Sequence, residues 1–248
     1  MYSVVITSYE CNGKGVSFLG ETLESVFNQT YRPIQCIVSD HSKNDEIENF
    51  VKTLSPSNVD FKYVRYANNY GNPCHNWNNG LQYVTGDYIH YLAMDDKLAY
   101  ADSIAAIMNQ IKLYPKSRWF ACAHITYPLN QYCIPEWNEK ILYGKNSLSG
   151  PSAIIINKNL RHIKLDPQFI WFLDVDWYYR LFLEAGKPTI LNQPLFINRT
   201  HADQLTRTVC NNDKIRNEEI YKLQQKYGNP LPLAKSFKHH PWYNMHRF

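Results

Sequence analysis

The stretch SVVITSYECNGKGVSFLGETLESVFNQTYRPIQCIVSD, residues 3–40, decides the fold. Its two ends, SVVIT (3–7) and IQCIVSD (34–40), are continuous apolar runs rather than alternating ones, the pattern of strands covered on both faces. Between them, residues 18–30 place Leu19, Leu23, Val26 and Phe27 on one helical stripe. Strand, helix and strand at this spacing form a parallel crossover unit. Working outward, the unit recurs: helix 45–54, strand 61–66, helix 74–84, strand 87–94. A helix over 101–114, a strand over 118–127, a loop-like stretch over 128–150 and a strand over 151–157 come next. A helix over 172–186 is closed by Gly186 as its C-cap. The expectation is an α/β protein with a doubly wound, mainly parallel sheet in one domain, binding its ligand at the carboxyl ends of the strands.

Composition narrows the function. With 26 Lys and Arg against 22 Asp and Glu, the net charge of +4 is too weak and scattered for a nucleic-acid partner, so a small-molecule partner is expected. Six cysteines without a C-x-x-C pair read as reduced thiols. No basic leader precedes the first strand and no apolar run reaches the length of a membrane span, so the chain is expected in the cytoplasm. Its basic, aromatic end, AKSFKHHPWYNMHRF (234–248), reads as a packed or frayed tail or as a segment resting on a membrane surface.

Polar residues gather where the strands end. Asp95 and Asp96 close the fourth strand, and adjacent carboxylates repel unless something positive lies between them. They read as ligands of Mg²⁺ or Mn²⁺ holding a diphosphate, or as helix caps and partners of Lys97. Asp40 reads as an acceptor for a base N–H or as a turn residue, and Thr7, Ser8 and Tyr9 close the first strand beside it. Asp174 and Asp176, two apart, diverge by about 200° on a helix, so one of them serves the site. Asp176 reads as a helix-start carboxylate paired with Arg180.

VVITSYE, VSDHSKND, NNYGNPCHNWNNGLQYVTGDYIHYLAMDD and FLDVDWYYRLFLEAG occur in an order and spacing that resembles glycosyltransferase family 2, nucleotide-sugar-dependent enzymes of GT-A fold. The resemblance covers about residues 1–210, and it implies a nucleotide-binding half (1–98), an acceptor and catalytic half (99–210) and a helical, basic aromatic extension (211–248). It implies that Thr7, Tyr9, Asp40, Asn78 and Asp95 contact the nucleotide, with Asn76 and Asn79 in the same segment, and that Asp96 and His201 hold Mn²⁺ or Mg²⁺. Ala93 stands where the family's acidic motif usually has an earlier Asp. Asp174 matches the catalytic base, with Trp171 and Trp177 beside it as sugar-stacking or core rings, and Arg199 and Arg207 near a diphosphate leaving group or in solvent. The activity implied is inverting, metal-dependent transfer of a sugar from a nucleoside diphosphate sugar, UDP-linked by expectation, to a hydroxyl on a glycan, lipid-linked or protein acceptor. The rivals are a nucleotidyltransferase, against which the missing glycine-rich phosphate loop counts, and a carbohydrate- or nucleotide-binding protein without chemistry.

Overall fold

A computed structural model describes residues 1–138, 141–142, 146–210 and 212–228, with the side chains of 208–210 excepted. The expected basic, aromatic tail lies outside the described residues. The first half alternates as expected: β1 (Tyr2–Ser8), α1 (Gly15–Phe27), β2 (Ile34–Asp40), α2 (Glu46–Lys52), β3 (Asp60–Arg65), α3 (Pro73–Leu81) and β4 (Tyr88–Ala93). All four strands run parallel in the order β3-β2-β1-β4. The continuous apolar runs are buried on both faces: Val4, Val5, Ile6, Cys36, Ile37 and Val38 are fully enclosed.

The second half completes the sheet in mixed orientation. After β5 (Lys97–Leu98) and α4 (Ser103–Leu113) come β6 (Trp119–Tyr127), β7 (Gln131–Cys133), β8 (Ile154–Asn157), α5 (Leu173–Ala185), β9 (Thr189–Arg199), α6 (Leu205–Cys210) and α7 (Asp213–Tyr227). β8 runs antiparallel between β4 and β6, β6 and β9 are parallel, and β5 closes the edge against β9. The result is the mainly parallel α/β sheet expected.

Close packing sets the site's frame. A Cβ on Gly80 of α3 would meet Val5 Cγ1 at 2.6 Å and Ser39 Cβ at 3.1 Å, so the missing side chain lets this helix lie on β1 and β2. A Cβ on Gly15 would collide with the carbonyl oxygen of Tyr9, so glycine permits the turn that folds residues 9–15 back above the end of β1. α7 lies beyond the boundary expected at residue 210, yet it is bonded into the second half through Glu219, Lys226 and Tyr227.

Candidate active site

The two aspartates after β4 part company. Asp96 N–H donates to the Ala93 carbonyl, and this turn sends the adjacent side chains in opposite directions. Asp96 is 4% exposed; its Oδ1 accepts from the Arg199 backbone N–H (3.0 Å) and from Asn198 Nδ2 (3.1 Å). Burial and the neighbouring Asp95 hold its carboxyl well above the usual range. Asp95 instead meets His201, whose Nε2 lies 2.9 Å from Oδ2. Asp96, expected with His201 as a metal ligand, meets the backbone end of β9, and it is Asp95 that lies against His201. Neither aspartate pairs with Lys97, which meets Glu21 at 2.9 Å. Arg199 is also engaged: its guanidinium lies 4.9 Å over the Phe18 ring, contacts Glu21 at 2.9 Å and donates to the Asp95 carbonyl. It is 7% exposed, so it locks this corner rather than reaching for a leaving group. Arg207 sits on α6.

The residues expected at the nucleoside are drawn into the fold's own bonds. Asp40 is fully buried; its Oδ1 accepts from Ser42 N–H (3.0 Å) and Ser42 Oγ (2.6 Å), and its Oδ2 from Tyr63 O–H (2.8 Å). It organises the turn after β2, the other reading its sequence allowed. Asn78 is likewise committed to structure, donating to the Leu165 carbonyl at 2.7 Å and accepting the Leu165 N–H at 3.0 Å. Asn76 and Asn79, one helical turn apart, face the sheet and donate to the Ser8 carbonyl and the Ser39 hydroxyl. Thr7 accepts the Met94 N–H through its carbonyl, which joins the ends of β1 and β4, and Tyr9 stands above them at 42% exposure. Burial and a hydrogen bond to Cys11 push the Tyr9 hydroxyl's pKa far up, so it remains protonated.

A run of flat rings, which the sequence did not single out, stands here as well. His41 stacks on Tyr70 at 5.1 Å and Tyr66 on His75 at 5.7 Å, with His41 and Tyr66 in contact at 5.5 Å. These rings line the ends of β2 and β3, where Asp40 had been expected to act.

Asp174 lies in the first turn of α5. Its Oδ1 accepts the Val175 N–H at 2.7 Å and its Oδ2 accepts from Asn146 Nδ2 at 2.6 Å. Burial pushes the carboxyl up to about 7. Asp176 points the other way, fully buried, onto Arg180 (2.7 Å), Lys226 (2.7 Å) and Tyr227 O–H (2.6 Å). The divergence and the Arg180 pairing are those expected. Trp177 is core, its indole N–H donating to the Ile163 carbonyl at 2.8 Å, and Trp171 is half-buried against Phe172.

Two positioning residues, Glu219 and Asn146, had escaped the sequence, and a third, Ser152, lies in the SGPSA stretch (149–153) that resembles the family's acceptor-side loop. Glu219 of α7 ties down the segment that leads into α5, accepting the N–H groups of Ile170 (2.7 Å), Trp171 (2.9 Å) and Phe172 (2.8 Å). Asn146 holds Asp174 and also donates to the Ser149 carbonyl. Ser152 accepts the Ala93 N–H at 3.0 Å while its carbonyl meets His90 Nε2 at 2.9 Å. The segment 146–152 thus joins the start of α5 to the end of β4, and so the Asp174 carboxyl to the Asp95–His201 corner. Polar residues at adjoining turn ends give a sequence pattern no sign of such bridging.

The profile of glycosyl transferase family 2 matches residues 3–117. A GalNAc(5)-diNAcBac-PP-undecaprenol beta-1,3-glucosyltransferase of Campylobacter jejuni is 31% identical over 80 residues, 32% of this chain and 26% of the relative. The chain therefore matches about a quarter of that protein's length. Among solved structures, Staphylococcus aureus TarS 1-349 in complex with UDP-GlcNAc superposes with a TM-score of 0.66 at 15% identity, covering 98% of this chain and 78% of that one. A longer TarS structure, of which this chain covers 44%, gives 0.65 at 15% identity over 92% of this chain. The Pyrobaculum calidifontis mannosyltransferase PcManGT, in complex with GDP-Man and Mn²⁺, gives 0.58 at 12% identity over 91% of this chain and 68% of its own. The fold is GT-A, as the sequence pattern implied.

Proposed function

We infer, for a chain that belongs to glycosyl transferase family 2 through its residues 3–117, that it moves a sugar from a nucleoside diphosphate sugar to a hydroxyl acceptor with inversion. The observation that supports this reading is the tie, through segment 146–152, between two unlike carboxylates: Asn146 of that segment holds Asp174, whose pKa burial raises to about 7, and Ser152 holds the end of β4, from which Asp95 reaches an imidazole. A general base works best when its pKa lies close to the working pH, and burial has brought Asp174 there. Asn146 fixes its Oδ2 and the Val175 N–H its Oδ1, so the carboxylate is oriented before any acceptor arrives.

The chain's own residues then divide the work. Tyr9 and the stacked rings from His41 to His75 offer flat faces to the nucleoside. Asp95 and His201 present a carboxylate oxygen and an imidazole nitrogen, a donor set that suits Mn²⁺ or Mg²⁺ shared with phosphate oxygens. Such an ion, when bound, neutralises the charge gathering on the departing diphosphate. Asp174 takes the proton of the acceptor hydroxyl; the acceptor oxygen forms a bond to the anomeric carbon as the bond to the diphosphate breaks on the opposite face. The nucleoside diphosphate leaves with the electron pair.

UDP is the favoured carrier because TarS of the same fold is seen with UDP and UDP-GlcNAc. A lipid-linked glycan is the favoured acceptor, after the undecaprenol in the Campylobacter relative's name. Among the described residues no helix is long and apolar enough to cross a membrane. The basic, aromatic stretch 234–248 is the part of the sequence suited to meeting such an acceptor at a membrane surface.

Titration calorimetry with UDP, GDP, CDP and dTDP, with and without Mn²⁺, tests the reading. The expected result is metal-dependent binding of UDP, lost in Asp95→Asn and retained in Asp174→Asn. Failure of all four nucleotides to bind would overturn it, as would binding indifferent to Asp95.

A further inference from the structure

On the side of His201 turned away from Asp95 lies a second group of ligating atoms. His201 Nε2 faces the Asp95 carboxylate, which leaves Nδ1 to whatever lies on the other side of the ring. Nδ1 is buried and has no hydrogen-bond partner among the described residues. It faces Asp203, 4.0 Å from Oδ2, and a ligating atom each of Cys11, His201 and Asp203 lies within 4.8 Å of the others. An orphaned buried ring nitrogen beside a second carboxylate and a thiol, itself bonded to Tyr9, is an arrangement that a cation completes.

The surroundings hold these donors in place. Cys11 and Asn12 both adopt left-handed backbone (φ 45° and 52°), which costs a non-glycine residue of order 1–3 kcal/mol. That conformation turns the Cys11 side chain inward to 1% exposure and brings Asn12 to donate to Asp203 Oδ1 at 2.9 Å. Lys14 holds the other oxygen of Asp203 at 2.7 Å. The Phe18 ring lies 4.8 Å from the His201 ring and limits its rotation.

We propose that Cys11, His201 Nδ1 and Asp203 form a binding site for a thiophilic divalent cation, Zn²⁺ foremost, with a fourth position open to water. Thiolate, imidazole and carboxylate are the donors zinc takes, and Asp95 on the far ring nitrogen is the outer-shell carboxylate that such a histidine ordinarily carries. A tetrahedral ion about 2.0–2.3 Å from its donors holds them about 3.5 Å apart, so the cluster closes by about an ångström of side-chain rotation on binding. Lys14, half exposed, then releases one oxygen of Asp203. The thiol of Cys11 loses its proton to solvent as the S–Zn bond forms.

The site has a consequence for the crevice. An ion on Nδ1 keeps the proton on Nε2, where it stays bonded to Asp95, and so withdraws His201 from any metal shared with the nucleotide. Zinc therefore opposes Mn²⁺-dependent nucleotide binding. This consequence rests on the proposed function; the zinc site does not.

The test is Co²⁺ titration of the full chain, read by absorption. The expected result is a near-ultraviolet thiolate-to-cobalt band saturating at one equivalent and erased by Zn²⁺. Cys11→Ser abolishes the band, and Cys133→Ser leaves it intact. Asp203→Ala, a substitution at a partly exposed position outside the hydrophobic core, weakens Co²⁺ binding by at least about tenfold, the lower edge of what even an outer-shell partner contributes. Absence of the band, a band surviving Cys11→Ser, or unchanged affinity in Asp203→Ala would overturn the proposal. If no nucleotide binds in the calorimetry but the band appears as described, the transferase reading fails and the zinc site stands.

Discussion

Above neutral pH, Asp174→Asn should make the protein more stable while crippling its turnover, and the stability difference should move in the variant's favour as pH rises. The carboxyl titrates at about 7 in the fold against 3.8 in an unfolded chain, a difference of about 3 units. At about 1.4 kcal/mol per unit, ionising it in the native state costs up to about 4 kcal/mol, an upper figure because the side chain keeps some exposure. The protonated form is the one the fold favours. Stability contributed by that form is complete below pH 3.8, falls as pH rises, and is gone above about 7. The asparagine escapes this loss but mismatches one of the two N–H donors, from Val175 and Asn146, at a cost of about 1 kcal/mol. Urea unfolding should therefore find the variant about 1 kcal/mol less stable at pH 4 and about 2–3 kcal/mol more stable at pH 8. Turnover should fall by about 10²–10⁴-fold. A stability difference that stays flat from pH 4 to 8, or one that moves toward the wild type as pH rises, would refute the assignment of a burial-raised base.

Glu219→Ala should lower stability by about 3–5 kcal/mol, since three backbone N–H groups lose a buried charged acceptor. Hydrogen exchange should quicken at 170–172 before it does in the parallel strands, and uniform loosening would argue against a local tie. Asn78→Ala should cost about 1–2 kcal/mol by releasing both bonds to Leu165, with nucleotide affinity unchanged by calorimetry. A drop in affinity with stability intact would return Asn78 to the nucleotide.

The first half was legible because strands buried on both faces are written as unbroken apolar runs, and the helices between them keep their stripe. β9 was harder to see. TILNQPLFINR carries Asn192, Gln193 and Pro194 in its middle, and the pairing to β6 slips there, with Ala123 opposite Pro194 and His124 opposite Phe196. A bulge admits polar residues and a proline that a regular ladder would refuse, and so erases the alternation that marks a strand. At the site, residue type and location were readable but direction was not. Asp95 and Asp96 are chemically identical neighbours, and what separates them is the bare end of a strand 103 positions away at Arg199. Asp40 was placed at the right strand end, and Ser42 and Tyr63 turned it inward. Glu219 sits in NEEIYK, where a glutamate looks like one more solvated charge; only the packing of α7 against α5 gives it three donors.

That packing also orders events in time. A ribosome releases the four parallel strands of the first half before any element of the second. The segment that leads into the helix carrying Asp174 follows, and its N–H groups stay unmet until Glu219 of α7 is made. Asp95 and His201 are both synthesised before that support exists. On the proposed function, chemistry would begin only when nearly the whole described chain has been made.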